Sequence, residues 1–366
     1  MLIKFAVKNF RGFKEKIEWD LSHPSNYSFN TNAIKDGIIK NGIIYGPNGS
    51  GKTNFSVAIF DIINHITQKW KNPTYYQNFV FAGDSTLNVC FEYTFKFGDV
   101  LIEYDYAKNI MGVFTEESLS LNGNRVFRLS NKSFTVDEKQ FPMNEMSKRN
   151  ILANANAISV VNYLLASYPL PADHYLLKLR SFAESMLWFR CLKVNEFMGL
   201  ETGTTVLDEY IIKNNLVEDF SNFLDAVSDQ RFKFVLSPKT DKVLYCRISN
   251  GVVPFNAIAS TGTQSLQLLY FWLKKIGSAS FVFIDEFDAF YHFKLAFEVC
   301  KRLFNLNCQV FTSSHNTYLM TNDLLRPDCN FILQDNKIKP LQACTEKELR
   351  FGHNIEKLFR GGAFKV

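Results

Sequence analysis

The chain has 366 residues, of which 46% are hydrophobic and 21% charged, so it can bury one large core or two. Its net charge of +5 permits contact with nucleic acid but does not argue for it, because the basic residues form no clustered run. The seven cysteines are scattered without a C-x-x-C pair, which fits thiols in a reducing cytosol better than disulfides or a zinc site. The 36 phenylalanines are spread along the chain and are expected to pack the core.

The amino terminus, MLIKFAVKNFRGF, alternates apolar and polar residues and lacks the apolar centre of a signal peptide. No stretch approaches the roughly 18 uninterrupted apolar residues that a membrane-spanning helix needs. We therefore expect a cytoplasmic protein without a membrane partner.

The amino-terminal third is predicted to contain one βα unit followed by an antiparallel patch. Residues 2–7 form a strand, a turn leads to a second strand, and residues 38–45 form a short apolar strand. A glycine-rich loop then leads to a helix over about 53–69. Four consecutive strands follow, at 86–97, 100–107, 110–121 and 125–129. Asn122-Gly123 between the last two is a strong hairpin signal, so these strands should pair antiparallel.

The middle of the chain, from about 143 to 230, spaces its apolar residues by three and four, which predicts helices. Strand character returns at 231–248. Helices and strands then alternate, at 263–276, 280–286, 291–305, 308–314, 316–325 and the run CNFILQ. Such alternation predicts a mainly parallel sheet covered by helices, so the fold class is α/β.

The predicted organisation is an α/β domain, called the head, in two parts with an insertion between them. Residues 1–135 carry the first part of the head with the antiparallel patch, 136–238 the helical insertion, and 239–366 the rest of the head. The insertion contains Pro169 and Pro171 and lacks a sustained heptad pattern. We expect a compact helical segment and not a long coiled coil.

Residues 46–53, GPNGSGKT, fit the phosphate-loop pattern G-x-x-x-x-G-K-[ST] in full. Backbone N–H groups of the loop should surround the phosphates of ATP at the positive end of the following helix. These groups belong to Asn48, Gly49, Ser50 and Gly51. Lys52 would neutralise the β- and γ-phosphates, and the Thr53 hydroxyl would bind Mg²⁺.

Two further strands are predicted to end in groups suited to this chemistry. In FVFIDEFDAFYH, the apolar run ends in Asp285, which would hold the Mg²⁺ ion, and Glu286, which would polarise the attacking water as a general base. In FTSSHNTYLM, His315 lies at the tip of the next strand, where it could sense the γ-phosphate.

Small polar residues precede an apolar helix in IASTGTQSLQLLYFW. They are Ser260, Thr261, Gly262, Thr263 and Gln264. Such an N-cap exposes free N–H donors that can bind phosphate, although ordinary capping explains the pattern equally well.

These four stretches, in this order, resemble the ATP-binding-cassette class of ATPases, in its SMC-like and overcoming-lysogenisation-defect branch. The resemblance covers roughly 1–130 and 240–366. It implies that NFRGF opens the fold and that STGTQ stands at the place of the LSGGQ signature, with fewer glycines. It also implies that FDAFYH, through His292, is a D-loop and that His315 is the switch histidine.

Two residues are assigned less directly. Gln77, in YYQNFVFAG, is the candidate for the Q-loop glutamine that the resemblance implies. Arg11 is expected either to reach the phosphates or to pack on the strand edge. Both alternatives for Arg11 stay open at the level of sequence.

The function implied by the resemblance is that of a bacterial anti-phage ATPase of the abortive-infection type. The tail, TEKELRFGHNIEKLFRGGAFKV, is similar to the ending of abortive-infection and retron-associated ATPases. No H-N-H or other effector motif follows the cassette, so a separately encoded nuclease or toxin should be the partner. The helical insertion, about 143–235, should be the contact surface for a partner protein or for nucleic acid. The alternative is a DNA-repair or recombination ATPase acting on DNA ends. A transporter subunit is disfavoured by the missing LSGGQ motif and the large insertion.

Self-association is also expected. Within one cassette the phosphate loop and the signature cap cannot reach the same nucleotide, whereas two copies related by a two-fold axis can sandwich ATP between them. Each cap would present N–H groups and a positive helix end to the nucleotide bound by the other copy.

Overall fold

A computed structural model of the protein describes residues 1–67, 69, 75, 78–84, 86–130, 133–154, 158–190, 196–200, 206–235 and 242–365. Its strands are β1 Leu2–Lys8, β2 Ile17–Asp20, β3 Ile34–Lys35, β4 Ile38–Ile39, β5 Asn41–Tyr45, β6 Val89–Phe97, β7 Val100–Lys108, β8 Phe114–Leu121, β9 Asn124–Leu129, β10 Phe134–Val136, β11 Leu187–Arg190, β12 Phe197–Gly199, β13 Phe234–Val235, β14 Tyr245–Ile248, β15 Gly251–Pro254, β16 Phe281–Asp285, β17 Gln309–Ser314, β18 Asn330–Gln334 and β19 Lys337–Pro340.

The helices are α1 Lys52–Ile59, α2 Asp61–Ile66, α3 Glu145–Asn154, α4 Val160–Ser167, α5 Tyr175–Glu184, α6 Leu207–Lys213, α7 Val217–Ser228, α8 Phe255–Ile258, α9 Thr261–Lys275, α10 Phe293–Phe304 and α11 Ile355–Arg360. Short 3₁₀ turns connect several of these elements. The single helix predicted after the glycine loop is divided into α1 and α2, because Phe60 leaves the helical conformation with φ −90° and ψ 0°.

One sheet is antiparallel throughout, in the order β10-β9-β8-β7-β6-β1-β2. It confirms the predicted antiparallel patch and adds the two amino-terminal strands to it. The turn between β8 and β9 has positive φ at both Asn122 (49°) and Gly123 (79°), as a two-residue hairpin turn requires. Buried and partly exposed residues alternate along β6, as expected for a sheet with one face on the core.

The other large sheet has the order β12-β11-β16-β17-β5-β18-β19. Its five central strands are parallel and its two edge strands are antiparallel, which confirms the predicted α/β class with a mainly parallel core sheet. Every residue of β5, β16 and β17 is buried, as is usual for parallel strands covered on both faces. The carboxyl ends of these strands meet at one edge, the usual position of a ligand site in such sheets.

Aromatic side chains join the two sheets around the first helix. The ring of Trp19 in β2 lies 5.7 Å from that of Phe55 in α1 and 4.6 Å from that of Phe311 in β17. Its centroid is also 5.5 Å from the ring of Phe331 in β18. All four rings are fully buried, in agreement with the expectation that phenylalanine packs the core.

The prediction of a helical insertion over 136–238 is wrong for β11 and β12. The run Leu187-Trp188-Phe189-Arg190 pairs in parallel with β16 and belongs to the core sheet. A short, continuous apolar run fits a buried strand and a helix equally well, so spacing alone could not decide between them. Strand pairing and the hydrogen bond from the Trp188 indole to the Ser56 hydroxyl (2.9 Å) hold this run in the sheet.

A second correction concerns residues 316–325, for which a helix was predicted. The structure has only a 3₁₀ turn at Thr317–Leu319 within this range. Asn322 directs its side-chain amide to the carbonyl oxygens of Arg350 (3.0 Å) and Phe351 (2.9 Å) in the tail. These tertiary hydrogen bonds hold the segment in an irregular conformation, and Asn and Thr favour such alternatives to helical bonding.

The later helices of the predicted insertion pack directly on the head. The ring of Phe220 in α7 lies 5.0 Å from Tyr270 in α9, and Tyr210 in α6 lies 4.8 Å from Phe271. Asp208, which is buried, also accepts a hydrogen bond from Gln267 of α9 (2.6 Å). Helices α6 and α7 therefore share a core with the helix that follows the predicted signature.

A fully buried ion pair connects α2 to the antiparallel sheet. The ammonium of Lys108 lies 2.6 Å from Asp61 Oδ2, and the Tyr106 hydroxyl donates to the same oxygen at 2.8 Å. Burial lowers the pKa of Lys108, and the Asp61 carboxylate opposes that shift. Nearby, Glu117 accepts hydrogen bonds from the Tyr104 hydroxyl (2.8 Å) and from Val160 N–H at the start of α4 (2.7 Å).

We expect Lys108→Met to lower the free energy of unfolding by about 3–5 kcal/mol, because it leaves the Asp61 charge buried without its cation. Adding Asp61→Asn should recover part of this loss. Urea unfolding of the single and double variants measures the effect. Lys4→Met, at a surface pair with Glu18, is the control and should cost no more than about 1 kcal/mol. Equal losses for Lys108→Met and Lys4→Met would contradict the prediction.

Candidate nucleotide-binding site

The phosphate loop connects the carboxyl end of β5 to the first turn of α1. Gly49 and Gly51 adopt positive φ of 78° and 97°, a conformation that side-chain-bearing residues rarely take. At Gly46 an added Cβ would lie 2.4 Å from the carbonyl oxygen of Leu333. The loop is thus a tight turn whose course depends on glycine at these three positions.

The side chains of Lys52 and Ser50 indicate that the loop binds an anionic ligand. The Lys52 ammonium donates to the carbonyl oxygens of Gly46 (2.8 Å) and Pro47 (3.1 Å) and is held inside the loop. Burial lowers its pKa, while Asp285 and Glu286 act in the opposite direction. The Ser50 hydroxyl is buried and has no hydrogen-bond partner among the described residues. An orphaned donor beside a buried ammonium, at a helix start, is chemically suited to phosphate oxygens.

Asp285 ends β16 beside the phosphate loop and is fully buried. The Thr53 hydroxyl donates to its Oδ2 at 2.7 Å, and the Ser313 hydroxyl of β17 donates to its Oδ1 at 2.6 Å. Carboxylate and hydroxyl oxygens are the ligands that Mg²⁺ takes in phosphate-binding sites. The donor set of Thr53 and Asp285 therefore fits this ion.

Arg190, at the carboxyl end of β11, completes the surroundings of Asp285. Its Nε donates to Asp285 Oδ2 at 3.0 Å, and its Nη2 donates to Thr53 Oγ1 at 3.3 Å. Sequence analysis missed Arg190 because its strand was assigned to a helix. The available signal was a charge directly after the apolar run LWF, the same pattern that identified Asp285 after FVFI.

Glu286 follows Asp285 in a left-handed backbone conformation, with φ 49°. Its N–H donates to Ser313 Oγ at 2.8 Å, so a single hydroxyl bonds to two successive residues. The residue is half-buried at the edge of the sheet. Asp285 is fully buried whereas Glu286 is half-buried, so the two carboxylates can act on different groups.

His315 lies at the carboxyl end of β17 and is exposed. Its pKa is lowered, first by partial burial of the ring and then by the charge of Lys52, against raising effects of Glu286 and Asp285. The structure thus brings His315 within electrostatic reach of the loop lysine and both carboxylates. With a lowered pKa, the imidazole is neutral at pH 7.

Arg11 lies close to the first turn of α1, and contact with the phosphates stays a prediction. Its guanidinium donates to the Asn54 side chain at 3.1 Å, in the first turn of α1, and also packs over the ring of Phe10 at 5.2 Å. Gln77 lies outside the described residues. Arg11, which follows β1, is next to the phosphate loop because it bonds to the first turn of α1.

The predicted signature forms the N-terminus of α9. Ser260 caps the helix by accepting from Thr263 N–H at 3.2 Å, and Thr263 Oγ1 bonds to Gln230 at 2.8 Å. An added Cβ on Gly262 would lie 2.9 Å from the carbonyl oxygen of Phe290. Thr261 is exposed, at the first position of the helix. Within the described part of the chain, no hydrogen bond joins this segment to the phosphate loop.

The predicted D-loop leads into α10. His292 is the exposed N-cap residue of that helix, and its ring lies 4.2 Å from that of Phe293. Phe293 stacks in turn on Tyr318 (5.5 Å), and both of these side chains are exposed, by 43% and 58%. Asp288 in the same segment accepts from the Ser314 hydroxyl at 2.7 Å, and burial raises its pKa.

Residues 200–321 match the family model described as "AAA domain, putative AbiEii toxin, Type IV TA system". This range contains the Ser260–Thr263 cap, Asp285, Glu286 and His315. Over this range the chain is similar to AAA domains of that family, which confirms the resemblance to abortive-infection AAA ATPases that the sequence suggested. The α/β class with a mainly parallel core sheet is confirmed by the strand pairing.

The solved structures that this chain matches include an SMC head domain from Thermotoga maritima. That match has 17% identity, covers 93% of this chain and 98% of that one, and has a TM-score of 0.42. An Smc head domain with an extended coiled coil bound to the C-terminal domain of ScpA, derived from Pyrococcus furiosus, has 14% identity, 92% and 95% coverage, and a TM-score of 0.44. The recombination mediator RecF-ATPrS of the RecFOR pathway has 14% identity, 93% and 98% coverage, and a TM-score of 0.40.

A comparison with curated proteins finds no significant match. No helix formed by the described residues has the length and apolar character needed to cross a bilayer.

Ser313→Ala is expected to lower the free energy of unfolding by about 1–3 kcal/mol, because Asp285 Oδ1 and the Glu286 N–H lose the hydroxyl that they share. Chemical denaturation measures the change. Ser130→Ala removes a surface hydroxyl that bonds to Ser133 and is the control, expected to stay within about 0.5 kcal/mol of the parent. A change in Ser313→Ala no larger than that of the control would contradict the prediction.

Proposed function

We propose that this protein binds and hydrolyses ATP with Mg²⁺ at the site between the phosphate loop and β16. The observation that carries the proposal is the 2.7 Å hydrogen bond between Thr53 and Asp285, which are 232 positions apart in the sequence. It joins the last residue of the phosphate-loop motif to the carboxylate that ends a buried core strand. The family match over 200–321 supports the same assignment.

The loop residues would bind the phosphates of ATP. Lys52, already enclosed by the loop carbonyls, would exchange these contacts for the β- and γ-phosphate oxygens. The Ser50 hydroxyl and loop N–H groups, among them those of Asn48, Gly49 and Gly51, would donate further hydrogen bonds. Arg11, which bonds to Asn54 in the first turn of α1, would add positive charge next to the loop.

Thr53 and Asp285 would hold the Mg²⁺ ion, which neutralises charge on the phosphate oxygens when bound. Glu286 would accept a proton from the attacking water as a general base, because it directly follows Asp285 and is only half-buried, so that water can reach it. His315, with a lowered pKa and near Lys52, would contact the γ-phosphate as a neutral hydrogen-bonding group.

We also propose that two copies of the chain bind ATP between them. The cap formed by Ser260, Thr261, Gly262 and Thr263 begins a 15-residue helix, and it bonds to Gln230 and not to its own phosphate loop. Free N–H groups and the positive helix end would attract the γ-phosphate held by a second copy. The exposed His292, Phe293 and Tyr318 would lie at the seam.

Glu286→Gln should keep ATP bound while slowing hydrolysis by at least about 100-fold, because a general base contributes roughly that much or more. Lys52→Ala should lose ATP binding. Phosphate release and equilibrium binding of ATP, both with Mg²⁺, measure the two effects, and light scattering of Glu286→Gln with ATP should show a doubled mass.

Lys139→Ala, at an exposed lysine outside the site, is the matched control and should behave like the parent. Normal turnover by Glu286→Gln at saturating ATP would refute the role of Glu286. A strictly monomeric Glu286→Gln protein with bound ATP would refute the two-copy site.

We further propose that the ATPase is a subunit of a bacterial anti-phage system of the abortive-infection type and controls a separately encoded effector. Support comes from the description of the family that matches 200–321. The contact would be made by the helical segment, where Met146, Ile158 and Val206 are exposed by 71%, 54% and 65%. These side chains would contribute apolar contacts to the bound effector.

The native gene with its neighbours should reduce plaque formation by phage in a sensitive host, and Lys52→Ala should abolish this protection. Met146→Glu should weaken protection while leaving ATP hydrolysis intact, because it changes only the contact surface. Plaque counts and phosphate release measure these outcomes. No protection by the parent locus, or protection unaffected by Lys52→Ala, would overturn the defence proposal. Hydrolysis stimulated by duplex DNA ends, without protection, would favour a repair ATPase instead.

A further inference from the structure

Arg190 donates hydrogen bonds to the two oxygen atoms that would bind the metal ion in the proposed function. The guanidinium lies 3.0 Å from Asp285 Oδ2 through Nε and 3.3 Å from Thr53 Oγ1 through Nη2. The Thr53 hydroxyl donates a hydrogen bond to Asp285 Oδ2 at 2.7 Å. Its lone pairs therefore remain to accept the hydrogen bond from Arg190. Both oxygens are therefore already engaged by a cationic group.

A divalent cation needs the same lone pairs. Asp285 Oδ2 already accepts from the Thr53 hydroxyl and from Arg190 Nε, so Mg²⁺, which binds oxygen at about 2.0–2.1 Å, has to displace one of these donors to bind there. The guanidinium cannot release its charge by losing a proton, because its pKa lies above the physiological range. Two positive groups would also repel each other strongly in a buried site.

We propose that Arg190 and Mg²⁺ compete for Thr53 and Asp285, so that metal binding displaces the guanidinium from these two oxygens towards Glu196 and solvent. This inference rests on the proposed function, ATP binding with Mg²⁺. Arg190 acts as a positioning residue: it keeps the buried Asp285 charge paired when the metal is not bound. It also supplies positive charge next to ATP when the metal is lacking.

The surroundings of Arg190 provide places for its side chain after displacement. Nη1 already lies 3.4 Å from Glu196, whose side chain is 59% exposed, and the guanidinium carbon lies 5.9 Å from the Trp188 ring. The Arg190 side chain itself is 23% exposed, so one side of it faces solvent. The group can therefore leave Asp285 without being buried as an unpaired charge.

The competing explanation is purely structural. Arg190 and Asp285 are register partners in adjacent parallel strands, and their ion pair could simply hold β11 against β16. A structural pair would change the affinity for ATP equally with and without metal. Competition predicts instead that Arg190 changes how strongly ATP binding depends on Mg²⁺.

The test compares the dissociation constants of ATP for the parent protein and Arg190→Gln, each in Mg²⁺ and in EDTA. In EDTA, Arg190→Gln should bind ATP about tenfold more weakly, because a charge-assisted contact to the phosphates is lost. In Mg²⁺ it should bind at least as tightly as the parent. Arg180→Gln, which removes a surface pair with Glu184 on α5, is the matched control and should leave the ratio of the two constants unchanged.

A second readout needs no nucleotide. Mn²⁺ alone should raise the Tm of Arg190→Gln more than that of the parent, because Thr53 and Asp285 become accessible to the ion. If Arg190→Gln does not fold, Arg190→Lys replaces it in both measurements. It exchanges the planar guanidinium for a single ammonium, so the changes in ATP affinity and in Tm should be in the same direction but smaller.

An unchanged ratio in Arg190→Gln, with ATP bound in Mg²⁺, would overturn the inference and leave the proposed function standing. Weaker binding in Mg²⁺ alone would also overturn it, since Arg190 would then act together with the metal. Failure of the parent protein to bind ATP in Mg²⁺ would overturn both proposals.

Discussion

The carboxylate of Asp285 is the point at which four elements of the structure depend on one another. Its Oδ1 accepts from Ser313 of β17, and its Oδ2 accepts from Thr53 of α1 and Arg190 of β11. A fully buried charge is tolerated only when it is paired and hydrogen-bonded, so each of these contacts constrains the position of its element. The edge of the core sheet is organised around this requirement.

The parallel sheet makes this convergence possible. Strands β11, β16, β17 and β5 run in the same direction and end at the same edge, with Arg190 opposite Asp285 and Ser314 opposite Tyr45 in the registers. The turn after Asp285 takes a strained conformation at Glu286, with φ 49°, and the Ser313 hydroxyl holds that turn in place. Rigid strands thus position the polar groups, and a short strained turn follows directly after Asp285.

A second buried polar cluster extends this rigid region away from the sheet edge. Helix α2 continues from α1, and its Asp61 pairs with Lys108 of β7. Glu117 of β8 accepts hydrogen bonds from the Tyr104 hydroxyl and from the first N–H groups of α4. The positive end of a helix favours a carboxylate at this place. Movement of α2 relative to the antiparallel sheet would break charged hydrogen bonds in a dry interior, so these elements are held as one unit.

The sequence by itself determined the features that depend on neighbouring residues. The phosphate loop, the Asn122-Gly123 hairpin and the carboxylate at the end of FVFID follow from local backbone and side-chain chemistry, and the alternation of elements determined the α/β class. The strand at Leu187–Arg190 and the irregular segment after Thr317–Leu319 depended instead on partners distant in the chain. The conformation of a buried apolar run depends on the strand that it pairs with. The conformation around a polar side chain depends on the distant group to which that side chain bonds. Only the tertiary structure could therefore place Arg190 on Asp285 and Thr53, because that contact exists only once β11 has joined β16.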